Sequence, residues 1–166
     1  LNIASKSDTE AYQARERQMK VQTMQPMLTY RGTVYTWHCD HLGHMNNMWY
    51  AGKFDEAGWY LLSQMGMTPS YLREANCGLA TVEQVCTFKR ELLAGDSLEI
   101  YSRVLEVRER VVRIAHEMRN TETGDLCATL AITAVHMDLG LRRATPIPDV
   151  QRRMAQDLIV PEAQAA

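Results

Sequence analysis

The apolar pattern of this 166-residue chain predicts an α+β domain in which a curved antiparallel sheet of about five strands wraps around one long central helix. Two observations carry that prediction. Residues 47–65 read as a helix whose only charges are Lys53, Asp55 and Glu56, too apolar around its circumference to lie on a surface. Four extended stretches joined by short turn segments then follow it, as antiparallel hairpins require.

Taken in order, residues 1–28 are polar and show no sustained apolar face, so they are expected to be an N-terminal extension with at most a weak helix over 9–24. The main domain is expected to span 29–150. It opens with a strand over 29–37, rich in Thr, Val, Tyr and Trp. Asn46 or Asn47 then caps the central helix, which places Ala51, Phe54, Gly58, Leu61, Leu62 and Met65 on one face. Thr68 caps a short helix over 70–75 that Pro69 opens. Strands follow over 79–93, 98–108, 111–120 and 126–138, and the alternation of Leu126, Ala128, Leu130, Ile132 and Ala134 marks a core face. Pro146 and Pro148 end the last strand, and Asp149 is expected to cap a terminal helix within a C-terminal helix and tail over 151–166. A lone sheet leaves an edge strand open, which predicts a homodimer or a dimer of dimers, with active sites at the interface.

Composition narrows the function. With 18 basic against 20 acidic side chains the formal charge is −2, which argues against nucleic acid as a partner. No apolar run approaches the ~20 residues that span a bilayer, and the opening residues lack the apolar block of a signal peptide, so no membrane partner and a cytoplasmic location are expected. The four cysteines have no C-x-x-C spacing and are expected to be reduced and mostly buried.

The chemistry concentrates in one loop, because three of the five histidines lie between His38 and Asn47 with Asp40, Cys39, Asn46 and Asn47. The loop leads into a helix N-terminus, where unpaired N–H groups and the helix dipole polarise a carbonyl while a nearby carboxylate attacks it or activates water. Asp40 is the candidate carboxylate. As alternatives, Asp40 caps a turn and His44 fills a polar core position, or His38, Cys39, Asp40, His41 and His44 hold a metal, although H-x-x-H-x-x-H does not match common zinc spacings.

The run Asp40-His41-Leu42-Gly43-His44-Met45-Asn46-Asn47, followed by Tyr50 and by Phe54-Asp55-Glu56-Ala57, resembles the D-x-x-G-H-V-N-N segment of hotdog-fold acyl thioesterases, the 4-hydroxybenzoyl-CoA thioesterase family and the acyl-carrier-protein thioesterases among them. The resemblance extends through Leu92-Leu93-Ala94-Gly95-Asp96 to Pro146-Ile147-Pro148. It implies the hotdog fold and hydrolysis of an acyl-CoA or acyl-ACP thioester, with no cofactor or metal beyond the coenzyme A of the substrate. It also implies a catalytic set of Asp40, His44 and the Asn47 N–H, with Gly43, Asn46, Tyr50 and Glu56 at the substrate. Leu42 stands where the plant carrier-protein enzymes have an Asn. A hotdog hydratase is less well matched, since its D-x-N-P-x-H pattern sets Asp and His five apart and here they are four apart. A non-catalytic acyl-binding module is the remaining alternative.

Smaller signals complete the reading. Glu56 on the helix and Glu83 on a strand are further candidate carboxylates, with a Lys53–Glu56 ion pair as the plainer role. Lys89-Arg90 and Arg142-Arg143 are candidates for the phosphates of coenzyme A. Six of the ten Trp and Tyr residues, Tyr35, Trp37, Trp49, Tyr50, Trp59 and Tyr60, suit pocket walls for aromatic, aliphatic or quaternary ammonium acyl groups, or else simply pack the core, and the ten Met residues suit an adaptable lining.

Overall fold

The computed structural model describes residues 25–160. The predicted weak helix over 9–24 lies outside the described residues. Five strands form one antiparallel sheet: β1 (Met27–Thr33), β2 (Cys77–Phe88), β3 (Ser97–Val107), β4 (Val111–Asn120) and β5 (Leu126–Asp138), in the order β1-β3-β4-β5-β2. A two-residue β6 (Arg143–Ala144) pairs with β5. The long helix α1 (Asn47–Gln64) lies in the concave side, followed by α2 (Pro69–Glu74), and α3 (Asp149–Gln156) closes the chain against β3. This is the hotdog arrangement.

Alternation builds the concave face. Leu98, Ile100, Ser102 and Val104 of β3, and Val112, Ile114, His116 and Met118 of β4, are buried at every second position, so one face of each strand looks at α1. Register breaks at Thr81/Glu83, Val104/Glu106 and Met118/Arg119 insert the extra residues that help such a sheet to curl. From α1 the core receives Tyr50, Phe54, Ala57 and Leu61, and Met65 just beyond its end. Burying a ring such as that of Phe54 contributes roughly 1.5–3 kcal/mol. Thr68 caps α2 with Pro69 at its first position, as the sequence predicts.

Several expectations change. The central helix is buried on one side only, since Ala51, Gly52, Asp55, Glu56, Trp59 and Tyr60 are exposed. The sheet of a single chain wraps half of the helix, and Ala51 therefore leaves the predicted inner face to Tyr50 and Ala57. The first strand stops at Thr33, because Tyr35 N–H donates to His38 Nδ1 and turns Thr36–His38 into a 3-10 helix. The second stops at Phe88 instead of reaching Leu93, because the N–H groups of Lys89 and Arg90 both donate to the Cys127 carbonyl and draw the chain off the ladder. Pro148, not Asp149, is the cap of the last helix. Cys77 and Cys127 are buried, whereas Cys39 is half-buried and Cys86 exposed. β2 is an open edge, and every residue from Thr81 to Glu91 is exposed. No helix among the described residues is long and apolar enough to cross a membrane.

Candidate active site

The loop from His38 to Asn46 folds back on itself before entering α1. Gly43 N–H donates to the Asp40 carbonyl at 3.0 Å, and Asp40 N–H donates to the His44 carbonyl at 3.2 Å. The chain can turn this tightly because Gly43 takes φ of +84°, where a Cβ would be strained. Short bridges from Cys39 to Met45 and from His44 to Leu93 tie the turn to the segment after β2.

One side chain connects the carboxylate to the helix. Asn46 caps α1 by accepting from Met48 N–H at 3.0 Å, and its amide Nδ2 donates to Asp40 Oδ2 at 2.8 Å. Asp40 Oδ1 accepts from Leu42 N–H at 2.9 Å, the Asx turn that the plainer reading of this residue expects. Each carboxylate oxygen keeps a lone pair free, and the side chain is only half-buried. The Leu42 N–H first, and then the Asn46 amide, hold the Asp40 carboxyl below the usual carboxylate range. Asp40 is therefore ionised at neutral pH. The Asn47 N–H, first in the helix, has no hydrogen-bond partner among the described residues, as helix geometry dictates for that position.

His44, a member of the expected catalytic set, lies near the Asp40 carboxyl but makes no hydrogen bond to it among the described residues. Its Nδ1 lies 3.3 Å from the Met45 carbonyl and its Nε2 4.0 Å from Glu91 Oε1, so Asn46 is the residue that orients Asp40. His38 is buried with its ring 4.4 Å from that of Trp49, and burial lowers its pKa. His41 is exposed. Among the described residues, no three His, Cys, Asp or Glu side chains converge as metal ligands do.

Two cavities follow α1. A smaller one of about 310 Å³ lies at the helix start, between His44, Asn47, Tyr50, Phe88, Lys89 and Arg90. Tyr50 packs edge-on against Phe88 with ring centroids 5.1 Å apart, and burial pushes its hydroxyl up to about 12, so it stays neutral. A larger cavity of about 580 Å³ begins at Phe54 and runs between the helix, β4, β5 and β2, with Asp55, Trp59, Leu72, Gln84 and Ile132 on its walls. Of the six candidate aromatic residues, Tyr50 lines the small cavity and Trp59 the large one; Tyr35 and Trp37 stack on each other at 4.4 Å, and Trp49 packs on His38. Methionines fill the core at positions 45, 65, 67 and 118, and of these four Met45 alone lines one of the two cavities.

Residues 34–154 match the family model of the Thioesterase-like superfamily. The chain belongs to this superfamily. No curated protein matches it by sequence. A Staphylococcus aureus hypothetical protein in complex with CoA superposes with a TM-score of 0.75 at 18% identity, covering 81% of this chain and 85% of that one. A 1,4-dihydroxy-2-naphthoyl-CoA thioesterase from Synechocystis does so with a TM-score of 0.70 at 20% identity over 79% and 96%. A gentisyl-coenzyme A thioesterase matches with 0.68 at 25% identity over 76% and 98%.

Within this thioesterase-like fold the other candidates separate. Glu56 faces Tyr30, whose pKa it helps burial to raise, and it lines neither cavity. Lys53 is buried and donates to the Tyr30 hydroxyl at 3.2 Å in place of the expected pair with Glu56; burial lowers its pKa. Glu83 accepts from Thr133 on the neighbouring strand. Lys89 and Arg90 border the small cavity, while Arg142 and Arg143 sit at the β5–β6 turn away from both. Sequence reasoning did not single out Asp55 as a candidate, and it lines the large cavity. Its advance signals were its place in the Phe54-Asp55-Glu56-Ala57 run and next to Glu56, and packing alone decides which of the two exposed carboxylates borders the cavity.

Proposed function

We propose that this chain hydrolyses acyl-CoA thioesters, with Asp40 as the catalytic carboxylate and the N-terminus of α1 polarising the thioester carbonyl. The observation that carries this reading is the Asn46 link, which fixes an ionised, half-exposed carboxylate to the same helix end that presents the Asn47 N–H. A carbonyl oxygen bonded to that N–H gains negative charge as attack proceeds, and the helix dipole stabilises it. Asp40 either takes a proton from water as the hydroxide adds, or adds to the carbonyl itself. In both cases the C–S bond breaks, the thiolate leaves as coenzyme A and takes up a proton, and one water is consumed per free acid formed.

The wall residues suit the remaining parts of the substrate. Lys89 and Arg90 at the mouth of the small cavity suit the coenzyme A phosphates, and the S. aureus neighbour is described in complex with CoA. The large cavity beyond Phe54 accommodates the acyl group. A second copy paired along the open β2 edge completes the site as a homodimer, since that edge and the exposed side of α1 border the large cavity.

A second reading rests on one specific observation: Asp55 lines the large cavity, and Asp40 lines neither. There the helix-borne carboxylate does the chemistry. The test of the function itself is a panel of short-chain, long-chain, aromatic and betainyl CoA esters, assayed for thiol release with and without prolonged EDTA treatment. Hydrolysis of at least one ester, unchanged by EDTA, is expected. Binding without turnover favours the acyl-binding module, and activity lost to EDTA and restored by zinc favours a metal at the histidine loop.

A further inference from the structure

A polar chain crosses the apolar face of the sheet. Thr29 Oγ1 donates to the Ile100 carbonyl at 3.2 Å and lies 2.5 Å from Ser102 Oγ, which lies 2.6 Å from His116 Nδ1. All three residues are buried, His116 to 1% exposure; Thr29 stands on β1, and Ser102 and His116 replace aliphatic side chains in the alternation of β3 and β4. The chain ends on an open atom, since His116 Nε2 is buried without a hydrogen-bond partner among the described residues. Leaving a buried nitrogen unsatisfied is costly, and a ligand donor would relieve that cost.

The direction of that atom follows from the sheet order. Ser102 is on β3, so Nδ1 points to the β3 side of β4. The large cavity lies on the opposite side, where Ile114 and His116 of β4 line it together with Leu130 and Ile132 of β5. Nε2, on the ring edge away from Ser102, is directed by this geometry toward the cavity's side of the strand beneath Phe54, whose ring centroid is 5.9 Å from that of His116, and less than 1 Å² of its own surface is open. Its hydrogen-bond sense is also determined. With the Thr29 proton given to Ile100, Ser102 donates to Thr29 and accepts Nδ1–H from His116, which leaves a lone pair on Nε2. Burial lowers the His116 pKa to about 4, so the ring stays neutral and the lone pair is available.

We propose that His116 is a specificity-determining residue that selects acyl groups carrying a hydrogen-bond donor, a hydroxyl or an amine, which it receives at Nε2 on the floor of the large cavity. This deepens the thioesterase reading and rests on its placement of the acyl group. Phe54 follows Asn47 by seven helical positions, so the donor sits roughly 10 Å along the helix from the carbonyl-polarising end. Around it Phe54, Leu130 and Ile132 are apolar, so a hydrocarbon fills the volume but leaves Nε2 unsatisfied.

The experiment uses non-hydrolysable CoA thioethers of medium length in sets of three: a parent hydrocarbon chain, the same chain with a hydroxyl moved stepwise along it, and the corresponding methyl ether. Dissociation constants come from calorimetry, and the matching esters give kcat/KM. At one hydroxyl position the wild-type protein is expected to bind the alcohol about tenfold more tightly than both the hydrocarbon and the ether. His116→Phe is expected to abolish the preference by binding the hydrocarbon better. Ser102→Ala frees the tautomer and narrows the gap between alcohol and ether, and it serves where His116→Phe fails to fold. Equal affinities for all three ligands at every position, or no binding of any, overturns the proposal. Discrimination in binding with no ester cleaved upholds His116 and refutes the thioesterase reading. Esters cleaved without discrimination do the reverse.

Discussion

Asp40 accepts two hydrogen bonds from donors fixed by the turn and by the helix cap, and both favour its charged form. Because its folded pKa lies below the ordinary value of 3.8, its charge is present above the usual carboxylate range and is lost only as pH falls through the lowered value. The Asp40-dependent part of kcat should accordingly be flat from about pH 5 to pH 8. Measuring the profile in His44→Ala alongside the wild type removes the neighbouring imidazole from the comparison, and an acid limb near pH 6 in that variant contradicts the assignment. At this scale the sequence was legible where the chemistry is local: Asp40, Gly43, Asn46 and Asn47 lie within eight residues, and turn and cap rules join them. His116 was not legible, because its partners Ser102 and Thr29 reach it only through strand register. Asp55 and Glu56 are adjacent on one helix, and only the packed structure says which borders the cavity.

The N-terminus of α1 carries two duties through Asn46, a cap for the helix and a donor to the carboxylate. Substituting Asn46 by Ala removes both, with an expected loss of about 1 kcal/mol in stability together with a fall in kcat. Asn46→Asp separates them, since Asp still caps the helix but sets a second carboxylate against Asp40. Thermal unfolding should therefore rank wild type and Asp above Ala, while kcat is depressed in both variants. A fully active Asn46→Ala protein contradicts the linkage. Elements with strong periodicity were readable to within a residue or two, as β4 and β5 show. The ends of β1 and β2 were not, because they depend on His38 Nδ1 and on the Cys127 carbonyl, partners that residue pattern does not reveal.

The molecule as a whole wraps half a helix and leaves the other half, with Trp59, beside an open strand edge carrying Val82, Val85 and Phe88. The curled sheet and central helix followed from hydrophobic pattern, but the predicted burial of the whole helix did not hold for one chain. If two copies pair along β2, as proposed, the open half of the helix is covered, and Val85→Lys should shift light scattering at micromolar concentration from dimer to monomer. A wild-type protein that is monomeric under those conditions contradicts the pairing. The central claim, that thioester hydrolysis runs on the loop carboxylate at the helix start, is tested most directly by kcat of Asp40→Asn and Asp55→Asn on the best CoA ester of the panel. Asp40→Asn is expected to lose about 10²-fold or more with KM little changed, the scale of losing a general base, while Asp55→Asn retains turnover. Near-full turnover in folded Asp40→Asn, with the loss falling on Asp55→Asn, would place the chemistry on the helix and contradict the account.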